Sequence, residues 1–132
     1  MPQPLPGEGP SSPFKSRSGW RRIVAAAGYS WAGLRAAVRH ESAFRQELAL
    51  GLPMLVLAWW LAPGRWQALA LTASIVLVWI VELLNSAVEA LADAISVERH
   101  PLIGRAKDLG SAAVMCSLVL AGLTWLVVFW PG

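Results

Sequence analysis

The chain has 132 residues, of which 56% are hydrophobic and only 14% are charged, and its mean hydropathy is +0.52. This length suits one domain, and a soluble domain of that size would have to hide all of this apolar surface in one small core. The eight tryptophans also fit a membrane protein, because indole rings favour the headgroup level of a bilayer. Composition therefore favours an integral membrane protein and counts against a small soluble domain.

The positive charges cluster along the chain, which has a net charge of +3. Of the eleven lysines and arginines, seven precede residue 46 and three lie between residues 99 and 107, so only Arg65 falls elsewhere. Positive clusters beside apolar segments indicate the cytoplasmic side of a membrane. We therefore expect the N-terminus and the 94–108 loop to face the cytoplasm, and we expect no nucleic-acid partner.

The first predicted elements are a disordered tail over residues 1–17 and a helix over residues 18–40. The tail is rich in Pro, Gly and Ser and has no periodicity. In the helix, apolar residues recur at steps of three and four, and arginines flank or oppose them. This pattern is typical of a helix lying in the headgroup plane, although a helix packed on a soluble core is the alternative. The apolar stripe consists of Trp20, Ile23, Val24, Ala27, Trp31, Leu34 and Val38.

Three apolar segments follow, and they predict membrane-spanning helices over residues 43–62, 66–95 and 107–130. A span needs about 20 residues to cross a hydrocarbon core of about 30 Å. The apolar run of the first segment, residues 48–62, is shorter than this, so we extend the span back through Phe44, with Arg45 reaching toward the interface. The expected fold is an all-α membrane protein with one surface helix and three spans.

The second span ends in the stretch "WIVELLNSAVEALAD" (79–93), which carries an amide and three acids. On a helix, Glu82, Asn85, Ser86, Glu89 and Asp93 fall within roughly 100° of each other. A charged acid at bilayer depth costs about 2.5–3.5 kcal/mol on insertion scales, so such a cluster must meet partners. Structural hydrogen bonds between helices are one explanation. An ion, proton or phosphate site near the cytoplasmic boundary is the other, and we favour it.

Charged residues also precede the other two spans, in "HESAFRQE" (40–47) and "GRAKDLGS" (104–111). Carboxylates such as Glu41 and Glu89 can hold Mg²⁺, which binds nucleotides through one or two acids plus phosphate oxygens. Lys107, Arg22 and Arg105 can neutralise phosphates. Glu82, set deeper, can accept a proton from a lipid hydroxyl. Metal-binding acids, cations for phosphates and a deeper proton acceptor together indicate a phosphoryl-transfer site. The chain has no Walker A sequence and no protein-kinase motifs, so side chains and a metal ion would have to hold the nucleotide.

Four motifs make the chain resemble the prokaryotic diacylglycerol kinase family, which also contains the undecaprenol kinases. The motifs are "AAGYSWAGLRAA" (26–37), "ESAFRQE" (41–47), "VELLNSAVEALAD" (81–93) and "GRAKDLGSAAV" (104–114). The resemblance implies a homotrimer in the bacterial inner membrane, with active sites shared between neighbouring subunits and Mg²⁺-ATP as phosphoryl donor to a lipid alcohol.

The resemblance also implies roles for individual residues. Glu82 is expected to be the general base, and Glu41 and Glu89 are expected to bind Mg²⁺. The residues expected at the ATP site are Arg22, Tyr29, Glu41, Asn85, Glu89, Glu98, Arg99, His100, Lys107 and Asp108. Those expected to face the lipid substrate are Arg22, Ala27, Ser30, Trp31, Arg45, Gln46, Glu47, Glu82 and Ser111.

Competing functions remain open at the level of the sequence. The leading hypothesis is ATP-dependent phosphorylation of diacylglycerol to phosphatidic acid, and the closest alternative is an undecaprenol kinase, because both acceptors present a hydroxyl at the interface. A proton or cation conductor using Glu82, Glu89 and Asp93 is a rival from another class. The residues that precede Val81 in this span are almost purely apolar, which counts against a path through the bilayer.

Overall fold

The computed structural model describes residues 19–95, 98 and 100–132. These residues form four helices, α1 (Gly19–His40), α2 (Ser42–Leu61), α3 (Arg65–Ile95) and α4 (Pro101–Phe129). The described part of the chain contains no strand, so the prediction of an all-helical protein is confirmed there. The predicted tail over residues 1–17, the first residue of the predicted surface helix, Ser18, and the candidate ATP ligand Arg99 lie outside the described residues.

The chain divides into two compact units, one ending at Ala36 and the other covering Ala37–Gly132. The described part of the first unit is the helix α1 up to Ala36. Its sequence is rich in alanine, which has the highest intrinsic helix propensity, and contains no proline. The tryptophans of the predicted stripe, Trp20 and Trp31, are exposed within this unit. The amphipathic helix expected from the periodicity is therefore present, with its apolar stripe uncovered by its own unit.

The second unit begins with the junction between α1 and α2 at Glu41. The backbone of this residue is extended, with φ −106° and ψ 106°, and its side chain makes no capping hydrogen bond. The guanidinium of Arg45 donates to the carbonyl oxygens of Val38 at 3.0 Å and Arg39 at 3.3 Å. Because the last carbonyls of a helix have no partner inside it, Arg45 stabilises the end of α1.

The helix α3 forms the centre of the second unit, with α2 and α4 each packed against it. The turn at Pro63 joins α2 to α3, and contacts such as the hydrogen bond from Trp59 Nε1 to Thr72 Oγ1 (2.9 Å) show that the two helices are antiparallel. The buried residues of α3 recur at steps of three and four, as one helix face requires. They are Ala68, Leu71, Ser74, Ile75, Val78, Glu82, Asn85 and Ala92.

Two glycines let the neighbouring helices approach α3 closely. A Cβ atom added to Gly51 of α2 would lie 2.6 Å from the indole ring of Trp79 and 3.0 Å from Ile75. A Cβ atom added to Gly110 of α4 would collide with the side-chain oxygen of Asn85. There is no room for a side-chain carbon at either glycine, so these two glycines set how closely α2 and α4 approach α3.

Among the described residues, α3 and α4 are the helices long and apolar enough to cross a membrane. At about 1.5 Å per residue, their 31 and 29 residues extend about 47 and 44 Å, beyond a hydrocarbon core of about 30 Å. The 20-residue helix α2 carries Arg45 and Glu47 near its start, so its uninterrupted apolar part is shorter than that core. The third span therefore stays a prediction.

The helix α4 begins at Pro101, six residues before the predicted span 107–130. The ring nitrogen Nδ1 of His100 accepts a hydrogen bond from the backbone N–H of Leu102 at 3.2 Å, and proline occupies the first turn, where its missing N–H costs nothing. Apolar composition located the segment that can enter a bilayer, whereas the cap at His100 and the proline that follows it set the actual start of the helix.

Candidate functional site

The polar face predicted on α3 is buried at its deepest positions. The side chains of Glu82 and Asn85 are only 5% and 9% exposed, whereas Glu89 is half-buried and Asp93 is exposed. Along the helix, polar groups thus pass from buried at Glu82 to solvent-accessible at Asp93, about 16 Å away at about 1.5 Å per residue. A group acting on a molecule dissolved in the membrane and groups binding a water-soluble molecule can therefore share this face.

Three further acids, from the start of α2 and from α3, lie near Glu82. Its carboxyl group interacts electrostatically with those of Glu89 and Glu41, and the carboxyl group of Glu47 interacts with that of Glu82. We call Glu41, Glu47, Glu82 and Glu89 the carboxylate cluster. Like charges brought together disfavour ionisation of one another, and cations or hydrogen-bond donors relieve this. The cluster is therefore suited to binding a positively charged or proton-donating ligand.

Asn85 lies within the same region and has an unsatisfied acceptor. Its Nδ2 donates weakly to Glu89 Oε1 at 3.4 Å, but its Oδ1 is buried without a hydrogen-bond partner. Oε2 of Glu47 and Oγ of Ser86 are buried and unpartnered in the same way. A buried polar atom without a partner costs about 1–3 kcal/mol, so these atoms are candidates for contact with a bound molecule.

A lysine from α4 adds a positive charge beside the cluster. Lys107 Nζ lies 2.6 Å from Asp93 Oδ1, in an ion pair whose side chains are 43% and 68% exposed. The ammonium group also interacts electrostatically with Glu89. This pair joins the N-terminal part of α4 to the C-terminal part of α3, and it brings a cation next to a predicted metal ligand. Asp108, which follows Lys107, is exposed.

The start of α2 brings further predicted substrate residues to this level. The indole Nε1 of Trp79 donates to the backbone oxygen of Glu47 at 3.1 Å, and this bond holds α2 against α3. Arg45 and Gln46 are exposed on α2, and Ser111 is exposed on α4. Within the second unit, the structure thus places Asn85 and Lys107 beside the carboxylate cluster, with the start of α2 held against α3 next to it.

The predicted site residues of α1 lie in the other unit and are exposed within it. Ser30 Oγ donates to the backbone oxygen of Ala26 at 2.9 Å, so its hydroxyl is engaged with its own helix. The exposed residues are Arg22, Ala27, Tyr29, Ser30 and Trp31. In the connection before α4, Glu98 is exposed and the imidazole of His100 caps the helix, as described above.

The donors present fit a magnesium ion held jointly with phosphates. Across residues 19–95, 98 and 100–132 there is no group of three or more His, Cys, Asp or Glu side chains that could hold a metal ion. Mg²⁺ bound with a nucleotide needs only one or two protein carboxylates, because phosphates and waters supply the other ligands. Glu41 and Glu89, which both interact with Glu82, and the unpartnered oxygen of Asn85 match that requirement.

Three contributors to this region were not among the predicted site residues. Asp93 pairs with Lys107, Gly110 abuts Asn85, and Trp79 binds the backbone of Glu47. Asp93 was recognised as part of the polar face, and its position four residues after Glu89 was the available signal. The contacts of Gly110 and Trp79 depend on helix packing and have no signature in the sequence.

The chain is similar to known proteins over most of its length. Residues 28–129 match the family model described as prokaryotic diacylglycerol kinase. The chain is 50% identical to a diacylglycerol kinase of Escherichia coli strain K12 over 113 residues, which cover 86% of this chain and 93% of that protein. It is also 46% identical to a diacylglycerol kinase of Pseudomonas aeruginosa over 117 residues, covering 89% and 95% of the two chains.

A more distant relative matches over nearly the same region. The chain is 41% identical to a diacylglycerol kinase of Helicobacter pylori over 109 residues, which cover 81% of this chain and 84% of that protein. The family model covers three of the four motifs in full and all but the first two residues of the motif at 26–37, and these similarities confirm the resemblance. The chain belongs to the prokaryotic diacylglycerol kinase family.

Proposed function

We propose that this protein is an ATP-dependent lipid kinase that phosphorylates diacylglycerol to phosphatidic acid at the cytoplasmic surface of the bacterial inner membrane. The observation that carries the proposal is the buried carboxyl group of Glu82 on a helix of membrane-crossing length, surrounded by further acids. The names of the relatives favour diacylglycerol over undecaprenol as acceptor.

The general base in this proposal is Glu82. Its carboxylate accepts the proton of the lipid hydroxyl while the hydroxyl oxygen attacks the γ-phosphorus of ATP. The new O–P bond forms as the bond to the β-phosphate oxygen breaks, and ADP leaves. Burial of Glu82 to 5% exposure supports the role, because an acceptor dissolved in the membrane meets the base away from competing water.

The nucleotide is held by the more accessible end of the site. Glu41 and Glu89 would hold Mg²⁺, which supplies charge neutralisation at the phosphates when it is bound. Lys107 binds the phosphates as a second positive charge, and Asn85, Asp108, Tyr29, Arg22 and the segment 98–100 complete the nucleotide site. The electrostatic contact of Lys107 with Glu89 supports this assignment, since it brings a cation and a metal ligand to one place.

The lipid is contacted by residues of α1 and by the start of α2. We assign Arg22, Ala27, Ser30 and Trp31 to this role, together with Arg45, Gln46, Glu47 and Ser111. We further propose three spans per chain, a cytoplasmic N-terminus, and a homotrimer whose neighbouring subunits share active sites.

The proposal is tested by phosphorylation in mixed micelles with labelled ATP and Mg²⁺. Diacylglycerol and undecaprenol are offered in parallel to the wild-type protein and to the Glu82→Gln variant. We expect labelled phosphatidic acid from the wild-type protein and a loss of labelling in the variant. Preferential labelling of undecaprenol would reassign the acceptor, and labelling of neither lipid by folded protein would overturn the kinase proposal.

A further inference from the structure

An open pocket lies at the turn between α2 and α3, away from the carboxylate cluster. It has a volume of about 310 Å³ and is lined by Trp59, Arg65, Trp66 and Leu69, and we call it the turn pocket. All four side chains are exposed. The indole Nε1 of Trp59 donates to Thr72 Oγ1 at 2.9 Å, which holds this ring against α3. The pocket therefore has a fixed aromatic wall on α2 and a cation on α3.

The positive charge of Arg65 has no counter-charge in its part of the chain. The sequence contains no Asp or Glu between Glu47 and Glu82 and none after Asp108. Glu82 lies about 26 Å from Arg65 along α3 at about 1.5 Å per residue. The guanidinium makes no ion pair or hydrogen bond with any other residue that the structure describes. A counter-ion for Arg65 therefore has to come from outside the helical unit that carries it.

The polar side-chain groups that line the turn pocket are all hydrogen-bond donors. Arg65 has N–H donors and no acceptor, and the indole N–H of Trp66 has no partner in the described part of the chain. A positively charged pocket without a side-chain acceptor favours an anion that only accepts hydrogen bonds. A phosphate group fits this description, and two of its oxygens match the planar fork of a guanidinium.

The location of the turn pocket favours a lipid as the source of that phosphate. The helix α3 is long and apolar enough to cross a membrane, and Arg65 and the carboxylate cluster lie toward opposite ends of it. Tryptophans and arginines at the end of a span lie at headgroup level. Leu69 follows Arg65 by one turn on the same helix face. A cation followed inward by an apolar surface matches a phospholipid, whose phosphate is followed inward by acyl chains.

We propose that the turn pocket binds the phosphodiester of an anionic phospholipid in the leaflet opposite the candidate site. Arg65 pairs with the phosphate, the indole N–H of Trp66 donates to a phosphate oxygen, and Leu69 contacts the start of an acyl chain. An anionic lipid is preferred over a zwitterionic one, because no acid lines the pocket to pair with a positively charged headgroup. The inference goes beyond the proposed function, since it involves neither ATP nor phosphoryl transfer.

The test is photocrosslinking in vesicles without ATP. The full-length protein is reconstituted in phosphatidylcholine vesicles with a small fraction of phosphatidylglycerol that carries a diazirine next to its ester linkage, and labelled residues are identified by mass spectrometry. A phosphatidylcholine probe with the same diazirine is the reference. We expect the phosphatidylglycerol probe to label Trp59, Trp66 and Leu69 roughly fivefold more, the effect of one arginine near an anionic lipid. Equal labelling by the two probes would overturn the proposal.

Substitutions decide whether this preference comes from the turn pocket. Arg65→Gln changes an exposed side chain without partners among the described residues, so the variant should fold, which gel filtration checks. We expect it to reduce labelling by phosphatidylglycerol to the level of the phosphatidylcholine probe, and Arg65→Lys to retain part of the preference. The matched control is Arg35→Gln, which removes an exposed arginine of α1 and should leave the preference unchanged. An undiminished preference in Arg65→Gln, or an equal loss in Arg35→Gln, would overturn the assignment.

Competition with soluble anions identifies the source of the phosphate. Excess inorganic phosphate or glycerophosphoglycerol, added at constant ionic strength, should leave the labelling unchanged, because neither has an acyl chain to contact Leu69. Loss of labelling with inorganic phosphate would overturn the lipid assignment in favour of a soluble anion. None of these measurements depends on phosphorylation, so failure of this inference and failure of the proposed function are observed separately.

Discussion

Neutralising Glu82 separates a role in chemistry from a role in folding. Glutamine has nearly the same size as glutamate, so Glu82→Gln leaves no cavity at this buried position. It also removes one of several neighbouring acids, since Glu82 interacts with Glu89, Glu41 and Glu47. We therefore expect the folding stability of the variant to be equal to that of the wild-type protein or higher.

The same substitution removes the proton acceptor from the proposed reaction. A positioned general base contributes typically 10²–10⁴-fold to the rate, which corresponds to about 3–5 kcal/mol of transition-state stabilisation at about 1.36 kcal/mol per factor of ten. We expect kcat to fall by this factor while the KM for ATP changes little, because the proposed nucleotide ligands remain in place.

The assay compares initial rates of phosphatidic acid formation with thermal unfolding followed by circular dichroism, on the same micelle preparations. Glu82→Asp is the matched control for charge, since it keeps the carboxylate but withdraws it by one methylene. A Glu82→Gln variant that retains activity within tenfold of the wild-type protein would refute the role of Glu82 as base. A large loss of stability in that variant would refute the charge argument and indicate a structural role.

The remaining predictions concern contacts between the helices. Gly110→Val forces a side chain against Asn85 and is expected to lower the free energy of unfolding by about 1–3 kcal/mol, the usual cost of overpacking. The control is Gly104→Ala on the same helix, where an added Cβ atom meets nothing within 4 Å, and it should show no such loss in the same thermal unfolding measurement. Water and salt screen the exposed pair of Lys107 and Asp93, so Asp93→Asn should barely move the unfolding midpoint. Lys107→Met should raise the KM for ATP severalfold, and an unchanged KM would remove Lys107 from the nucleotide site. Trp79→Phe removes the hydrogen bond to the Glu47 backbone and is expected to cost about 0.5–1.5 kcal/mol in denaturant unfolding, and an unchanged midpoint would show that the bond contributes nothing.

Local patterns in the sequence were sufficient for the helices and for the polar face. The stripe at steps of three and four predicted α1, the apolar runs predicted the cores of α2, α3 and α4, and the spacing of Glu82, Asn85 and Glu89 placed them on one side of α3. Helical periodicity is a property of neighbouring residues, so it can be read without knowledge of the fold. The helix α4 begins six residues before the predicted span, because its start is set by the cap at His100 and the proline of the first turn rather than by the apolar run that defined the span.

The family could also be recognised from the sequence, because its four motifs keep their order and separation along the chain. The residue types already suggested Mg²⁺ binding by Glu41 and Glu89 and phosphate neutralisation by Lys107, and the resemblance implied that these three residues belong to one ATP site. These roles stay predictions, although the structure does bring the three residues into electrostatic contact with the acids of α3.

What the tertiary structure alone decided is which polar groups are buried and which distant residues meet. The sequence places Glu82 deeper in the span than Asp93, but only the packing of α2 and α4 on α3 decides that Glu82 is buried and Asp93 exposed. The electrostatic interaction of Glu47 with Glu82 and the fit of Gly110 against Asn85 join residues far apart in the chain. Such contacts depend on how antiparallel helices pack and on the small residues that set their spacing, and local periodicity contains no information about either.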